Sequence, residues 1–377
     1  LADAFEAAAR TWPTDGAPAN GPAWLLTAAR RRILDRLRSE QVLARRMPLL
    51  TVEAELSAQA QRVMAATGEP VLDERLRLVL LAAHPRLSRE AAAALSLRLV
   101  LGVPTADIAR LFLQSTPTMA ARLTRARKKL TGERFELPTP DALPGRVQVV
   151  ADVAYLAFTA GYTPGAGADL LRTELAGEAI RLVRLLRSAI AAHGLDDDHG
   201  VDRELTSLLA LMILQHSRRD ARVRDGELVL LPDQDRSRWH ADEIGEALQL
   251  LTPLTDAPAT PYLLQALIAA EHAIAPTAGD TAWDRIVRRY DELLVVHDSP
   301  VVRLNRAVAV AEADGPECAL AALESVALPG HRLPAVRAEL LARSGHADAA
   351  RESYDAAIAL CPNDAERLQL QRRRDAS

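Results

Sequence analysis

Apolar residues along this chain recur at intervals of three and four almost everywhere and hardly ever alternate. They are mostly alanine and leucine rather than β-branched or aromatic types. A helix turns once in about 3.6 residues, so this spacing lines apolar side chains along one helical face, whereas a half-buried strand needs alternation. The fold expected is all-α. Hydrophobic residues make up 49% and charged residues 25% of 377 positions, enough to bury a core and too apolar for wholesale disorder. That length allows two or three domains.

No apolar run reaches the roughly 18 to 20 residues of a membrane-spanning helix, and no signal-peptide pattern opens the chain, so a cytoplasmic location without membrane partners is expected. The two cysteines, Cys318 and Cys361, are too few for a disulfide framework or a thiolate site of zinc-finger type. They are expected to be small buried residues, and no metal or cofactor is expected.

A net charge of -4 conceals a division. Residues 1–135 hold 21 Arg and Lys against 13 Asp and Glu, an excess of +8, and the remainder holds 25 against 37, an excess of -12. A basic front joined to an acidic back points weakly to nucleic acid at the front. The positive charge is clustered. Seven arginines between Pro22 and Arg46 face only Asp35 and Glu40, and between Thr116 and Arg134 six cations, including Lys128 and Lys129, face only Glu133.

The chain opens within a helical pattern, Leu1, Ala4, Phe5 and Ala8, so its first element is expected to be truncated. A Pro- and Gly-punctuated loop follows over 13–22, then a helix with Pro22 in its first turn and the stripe Leu26, Ala29, Ile33, Leu37. Residues 41–72 read as a linker with one weak helix. Short helices fill 73–136, and three prolines between Glu136 and Pro144 mark a boundary, with 137–145 as a second linker. Beyond it, long helices are expected near 146–160, 169–192, 203–218, 241–253 and 261–274, with a short strand at Glu227 to Leu231. The last hundred residues read as helical repeats. Gly345, Ala350, Tyr354, Ala357 and Pro362 have the spacing of half a tetratricopeptide repeat, and Gly315 and Ala319 precede Gly345 and Ala349 by 30 residues.

The sharpest local pattern is VPTADIARLFLQSTPTMAARLTRARKKL at 103–130. Thr105 is expected to cap one short helix and Thr116 a second, with Pro117 at its first position and a tight connection from Leu113 to Ser115. This is a helix-turn-helix. The second helix carries Met119, Leu123, Ala126 and Leu130 on one stripe, while Thr118, Arg122, Arg125 and Lys129 face away. Thr118, Ala121 and Arg122 could meet base edges in a major groove, and the cations beyond them suit phosphates. On periodicity alone, a solvated basic helix in an ordinary bundle fits as well.

These residues go beyond pattern. TMAARLTRARKKL, its lead-in PTADIARLF and the upstream AWLLTAARRRILDRLR closely resemble regions 4.2 and 2.3 to 2.4 of bacterial extracytoplasmic-function (ECF) sigma factors. HPRLSREAAAALSLRLVLGVPTADIARLF, FTAGY at 158–162, DQDRSRWH at 233–240 and SPVVRLNRAVAVAEADGP at 299–316 look like successive blocks of the ECF subgroup with a long tetratricopeptide-like extension. The resemblance implies a truncated sigma region 2 over 1–40, region 4 over 73–136 and a helical extension over 146–377. It implies core RNA polymerase and promoter DNA as partners, with a regulatory protein of anti-sigma type as a further one. By the same resemblance Asp3, Phe5 and Trp12 match the helix that docks on polymerase. Arg30, Arg31, Arg32 and Arg36 match the part acting at the -10 element, and Thr118, Ala121, Arg122 and Arg125 match the helix reading the -35 element. Lys128 and Lys129 join them as phosphate contacts.

Rival readings remain. His193, Asp196, Asp197, Asp198 and His199 lack metal-ligand spacing and read as a solvated loop. Asp233, Asp235, Arg236, Arg238 and Trp239, with His240, have no nucleophile beside them and read as an interdomain interface pinning the acidic extension to the basic front or to polymerase. No enzyme is expected. A helix-turn-helix regulator with a sensing extension, or a repeat scaffold, would share the same pattern, and charge alone would allow the extension to fold back on the basic front.

Overall fold

A computed structural model describes residues 74–133, 142–162, 171–192 and 200–377. Fifteen α-helices, four three-residue 3-10 helices and one hairpin of two two-residue strands make up its regular structure among these residues, in keeping with the helical periodicity. The expected elements of residues 1–73 and the loop 193–199 lie outside the described residues.

Four short helices come first: α1 Glu74–Ala82, α2 Arg89–Leu99, α3 Thr105–Leu111 and α4 Thr116–Leu130. Then α5 runs Leu143–Tyr162, so residues 143–145, placed in the linker by their prolines, form the first turn of a helix. In its segment VQVVADVAYLAF the apolar residues spread around most of the helix, interrupted by Gln148 and Asp152, which suits a helix enclosed over most of its surface. Val147, Val150, Val153, Ala154, Ala157 and Phe158 are all buried. On one flank α5 meets α1, α2 and α3; on the other it packs along α6, Thr173–Ala192, and α7, Val201–His216. Ten consecutive residues of α7, Leu205 to Leu214, are buried. One hydrophobic core therefore runs from Leu76 to Ala270, across the expected domain boundary.

Polar contacts follow the same seam. Arg89 of α2 makes a forked pair with Asp152 of α5, one arm at 2.7 Å. Asp107 of α3, 6% exposed, accepts from Arg110 at 2.9 Å and from Arg172, just before α6, at 2.7 Å. Arg146 donates to the carbonyl of Leu80 at 2.9 Å. The FTAGY block serves this junction. Gly161 accepts from the Arg172 amide at 2.7 Å, and a Cβ at Gly161 would sit 2.9 Å from the Arg172 carbonyl oxygen and 3.1 Å from the Ala176 amide.

After α7 the chain makes the hairpin β1 Val223–Arg224 and β2 Glu227–Leu228, antiparallel, with Val223 opposite Leu228. It turns on Asp225 and Gly226, both at positive φ. The expected strand at 227–231 is thus only two residues long. Next come α8 Ala241–Leu251 and α9 Pro261–Ile274, then α10 Trp283–Val296, α11 Pro300–Ala313, α12 Pro316–Leu323, α13 Arg332–Arg343, α14 Ala347–Leu360 and α15 Asp364–Ala376, each packed on its predecessor. Smaller cores hold this second part together.

Gly315 and Gly345 end α11 and α13 at φ +96° and +79°, a region closed to most side chains. Their 30-residue offset does not carry into the core. Ala319, Leu323 and Val326 are buried, as are Ala350, Tyr354 and Ala357, an offset of 31. Leu323, not Glu324, occupies the place of Tyr354, and Ala349 is exposed. Of the cysteines, Cys361 is buried as expected, whereas Cys318 is exposed on the outer side of α12. The end of the chain curves back: Arg372 of α15 pairs with Glu227 of β2.

Two outcomes follow from the shared core. Gly161→Ala is expected to lower unfolding free energy by about 1–3 kcal/mol in urea titration, because backbone atoms must shift to admit the methyl group. A fragment of residues 74–141 is expected to lack a cooperative thermal transition in circular dichroism, since it lacks α5, on which α1, α2 and α3 pack within the shared core.

Candidate nucleic-acid interface

The turn before α4 is built by a Schellman ending on α3. The amide of Gln114 donates to the Ala109 carbonyl at 2.8 Å and that of Leu113 to the Arg110 carbonyl at 3.0 Å. Leu113 therefore holds φ +52°, where glycine is usual, and its side chain is exposed. The chain then reverses directly into α4.

Both expected caps shift by one residue. Pro104, with no side-chain cap bond, precedes α3. Ser115 caps α4, its Oγ accepting from the Thr118 amide at 3.3 Å and lying 2.7 Å from the Thr118 hydroxyl, and Pro117 becomes the second helical residue. Met119, Leu123, Ala126 and Leu130 are buried on one stripe, where α4 packs on α2 and α3.

The opposite face carries Thr118, Ala121, Arg125, Lys128 and Lys129, all exposed. No carboxylate pairs with Arg125, Lys128 or Lys129 among the described residues, and the acidic extension does not cover them. Arg122 departs from expectation. Its guanidinium turns toward α2, pairs with Glu90 at 2.7 Å, lies 5.9 Å from the Phe112 ring centre and leaves the side chain 21% exposed. Glu90 stands in the first turn of α2 where that helix crosses α4, so Arg122 is held by its own domain. Arg127 is half-buried, and burial, with the nearby charge of Arg98, pushes its pKa down. The resulting surface has Thr118 and Ala121 near the helix amino terminus and a cationic strip of Arg125, Lys128 and Lys129 along its second half, able to meet phosphate oxygens.

Asp3, Phe5, Trp12, Arg30, Arg31, Arg32 and Arg36 lie outside the described residues. The expected interdomain motif is found elsewhere than at the α5 seam. Arg236 donates to the His272 and Ala275 carbonyls at 2.6 Å each, capping the end of α9. Its guanidinium also lies 4.5 Å from the centre of the buried Trp239 ring, with Arg218 5.7 Å from the same ring. Asp235 accepts from the Ser237 amide at 3.0 Å, and Asp233, Asp235 and Arg238 are exposed. Within the described residues the motif ties α7 to α9 inside the extension and does not reach the helix-turn-helix. Arg236 is spent on backbone carbonyls and pairs with neither carboxylate of the motif.

Residues 77–130 match sigma-70 region 4. Residues 146–254 match a family of unknown function, DUF6596. Over 380 aligned residues the chain is 37% identical to the uncharacterized protein R00370 of Rhizobium meliloti (strain 1021), covering 96% of this chain and 86% of that protein. The chain belongs to the family of R00370 and carries a sigma-70 region 4 domain. No solved structure gives a significant match. The exposed face of α4 thus falls inside the region 4 match, and most of α5 with all of α6 to α8 falls inside the second match. No helix among the described residues is long and apolar enough to cross a membrane.

Two measurements check this geometry. Leu113→Gly is expected to stabilise the domain by about 1 kcal/mol in urea titration, by relieving a left-handed non-glycine residue. His272 sits between Arg218, Arg236 and the Trp283 ring, and burial, followed by those two cations, pushes its pKa from 6.5 to about 4. The unfolded chain takes up this proton first, so stability is expected to fall as pH drops from 6.5 toward 4. His272→Gln should flatten that part of a pH-dependent melting profile.

Proposed function

We propose that this chain is an ECF-type sigma factor that joins core RNA polymerase and directs promoter recognition and initiation. In this reading Thr118, Ala121 and Arg125 of α4 meet the -35 element, and Lys128 and Lys129 neutralise flanking phosphates. Arg122 contributes once its pair with Glu90 opens. Residues 1–40 act at the -10 element through Arg30, Arg31, Arg32 and Arg36, and Asp3, Phe5 and Trp12 engage polymerase. The observation that carries the reading is the exposed, unpaired cationic face of α4 within the region 4 match. The extension, read as tetratricopeptide-like from α10 onward, acts as a required part of the initiating machine. Its packing against α1, α2 and α3, away from the α4 face, supports that role over electrostatic closure on the DNA-binding surface. The site of action is the cytoplasm, and a regulatory protein of anti-sigma type is a further partner.

Run-off transcription with core RNA polymerase, on a library of randomised -35 and -10 elements, tests this reading. Initiation dependent on the chain is expected, with one preferred -35 sequence. Arg125→Ala should weaken promoter binding by about tenfold or more, and Lys128→Ala should lower the salt dependence by about one counterion without changing sequence preference. Duplex binding without initiation would instead indicate a helix-turn-helix regulator. Binding to neither DNA nor polymerase would leave a repeat scaffold.

A further inference from the structure

The last helix pairs bring together three side chains that have no part in the sigma reading. His331 is the residue before α13, Cys361 follows α14, and Glu366 lies in the first turn of α15. His331 Nε2 lies 3.1 Å from Glu366 Oε2, and Cys361 Sγ lies 3.8 Å from the same oxygen. One ligand atom from each residue falls within 4.8 Å of the other two. Cys361 is 4% exposed, while His331 and Glu366 reach solvent with 20% and 32% of their side chains, so the cluster is closed at the sulfur and open at the other side.

We propose that His331, Cys361 and Glu366 form a binding site for a divalent ion of the zinc class. A thiolate, an imidazole and a carboxylate are together the donor set that zinc prefers, and they exclude the all-oxygen shell of magnesium or calcium. With zinc bonds of about 2.0 Å to nitrogen and oxygen and about 2.3 Å to sulfur, tetrahedral edges are about 3.3 Å for nitrogen to oxygen and about 3.5 Å for sulfur to oxygen. The observed 3.1 Å and 3.8 Å bracket those edges, so an ion enters with side-chain movements of a few tenths of an ångström in these two separations. Binding exchanges the Cys361 thiol proton for the metal, the proton leaving to solvent, and places the remaining imidazole proton on Nδ1 so that Nε2 offers its lone pair. Water completes the fourth position.

The local cations leave room for this charge. Arg367 is turned to the Cys361 carbonyl at 3.0 Å and to the Asp364 carboxylate, not to the sulfur. Thiolate and carboxylate supply two negative charges against the two of the ion. The three ligands come from the start of α13, the α14–α15 corner and α15, so the ion would fasten the final pair of helices to the one before it.

The full chain, stripped with chelator and titrated with cobalt as the spectroscopic probe, tests the site, with zinc added as competitor. One ion per chain is expected, with a thiolate-to-cobalt band in the ultraviolet that zinc abolishes. Cys361→Ser should remove the band, and Glu366→Gln, which can still accept from His331, should weaken binding by at least about tenfold. Cys318→Ser should change nothing. Unaltered helical circular dichroism identifies the variants that remain folded, and Glu366→Gln carries the test if Cys361→Ser does not. Absence of a thiolate band, a band lost with Cys318→Ser, or a band that survives both Cys361→Ser and Glu366→Gln overturns the proposal.

Discussion

The structure depends on the enclosure of α5 over most of its surface. A helix with so much apolar surface gains little from water and must be covered there, while Gln148 and Asp152 keep one side polar. Here α1 to α3 enclose one flank, and α6 and α7 the other. Helix α3 is positioned as much by this partner as by its own turn. Asp107 makes the dependence explicit, because its carboxylate is buried and satisfied by one arginine from its own helix and one from beyond α5. A buried charge without such partners is costly, so domain and extension are coupled through it. Gly161 sets the closeness of the corner by leaving room for the Arg172 carbonyl.

From this arrangement comes a division of surfaces. The extension takes the side of the helix-turn-helix formed by α1, α2 and α3, and α4 is left with its buried stripe inward and its cations outward. Opposite net charges in the two halves do not meet at the cationic strip. The two parts meet instead at specific pairs of both polarities, Arg89 with Asp152 and, with the signs reversed, Asp107 with Arg172, where hydrogen-bond geometry adds to attraction. Net charge describes long-range steering and says little about which surfaces pack.

Much was legible in residue order. Helical periodicity located α3 to α9 one by one and marked the last hundred residues only as helical repeats, and α9 begins and ends at the expected residues, Pro261 and Ile274, because Thr260 caps it and Pro261 opens it. The α4 stripe was legible for the same reason. Less legible were choices between adjacent residues with equal chemistry. Ser115 and Thr116 can both cap a helix, and only the path of the chain out of Leu113 selects Ser115. The repeat register slipped in the same way, since glycines mark corners while burial marks the core, and one residue fewer in the earlier unit separates the two. Arg122 was assigned to the outward face by helical angle, but a long guanidinium reaches round the helix to any carboxylate that crosses it, and Glu90 does.

Sequence by itself determined the all-α class, the helix-turn-helix and the cationic composition of its second helix, because period, caps and charge are local properties of neighbouring residues. Tertiary structure alone decided that the expected linker at 143–145 is helix, that one core crosses the boundary, that Arg236 and Trp239 bind within the extension, and that His331, Cys361 and Glu366 converge. Those features depend on residues 30 to 65 positions apart meeting in space, and no local period records which faces meet.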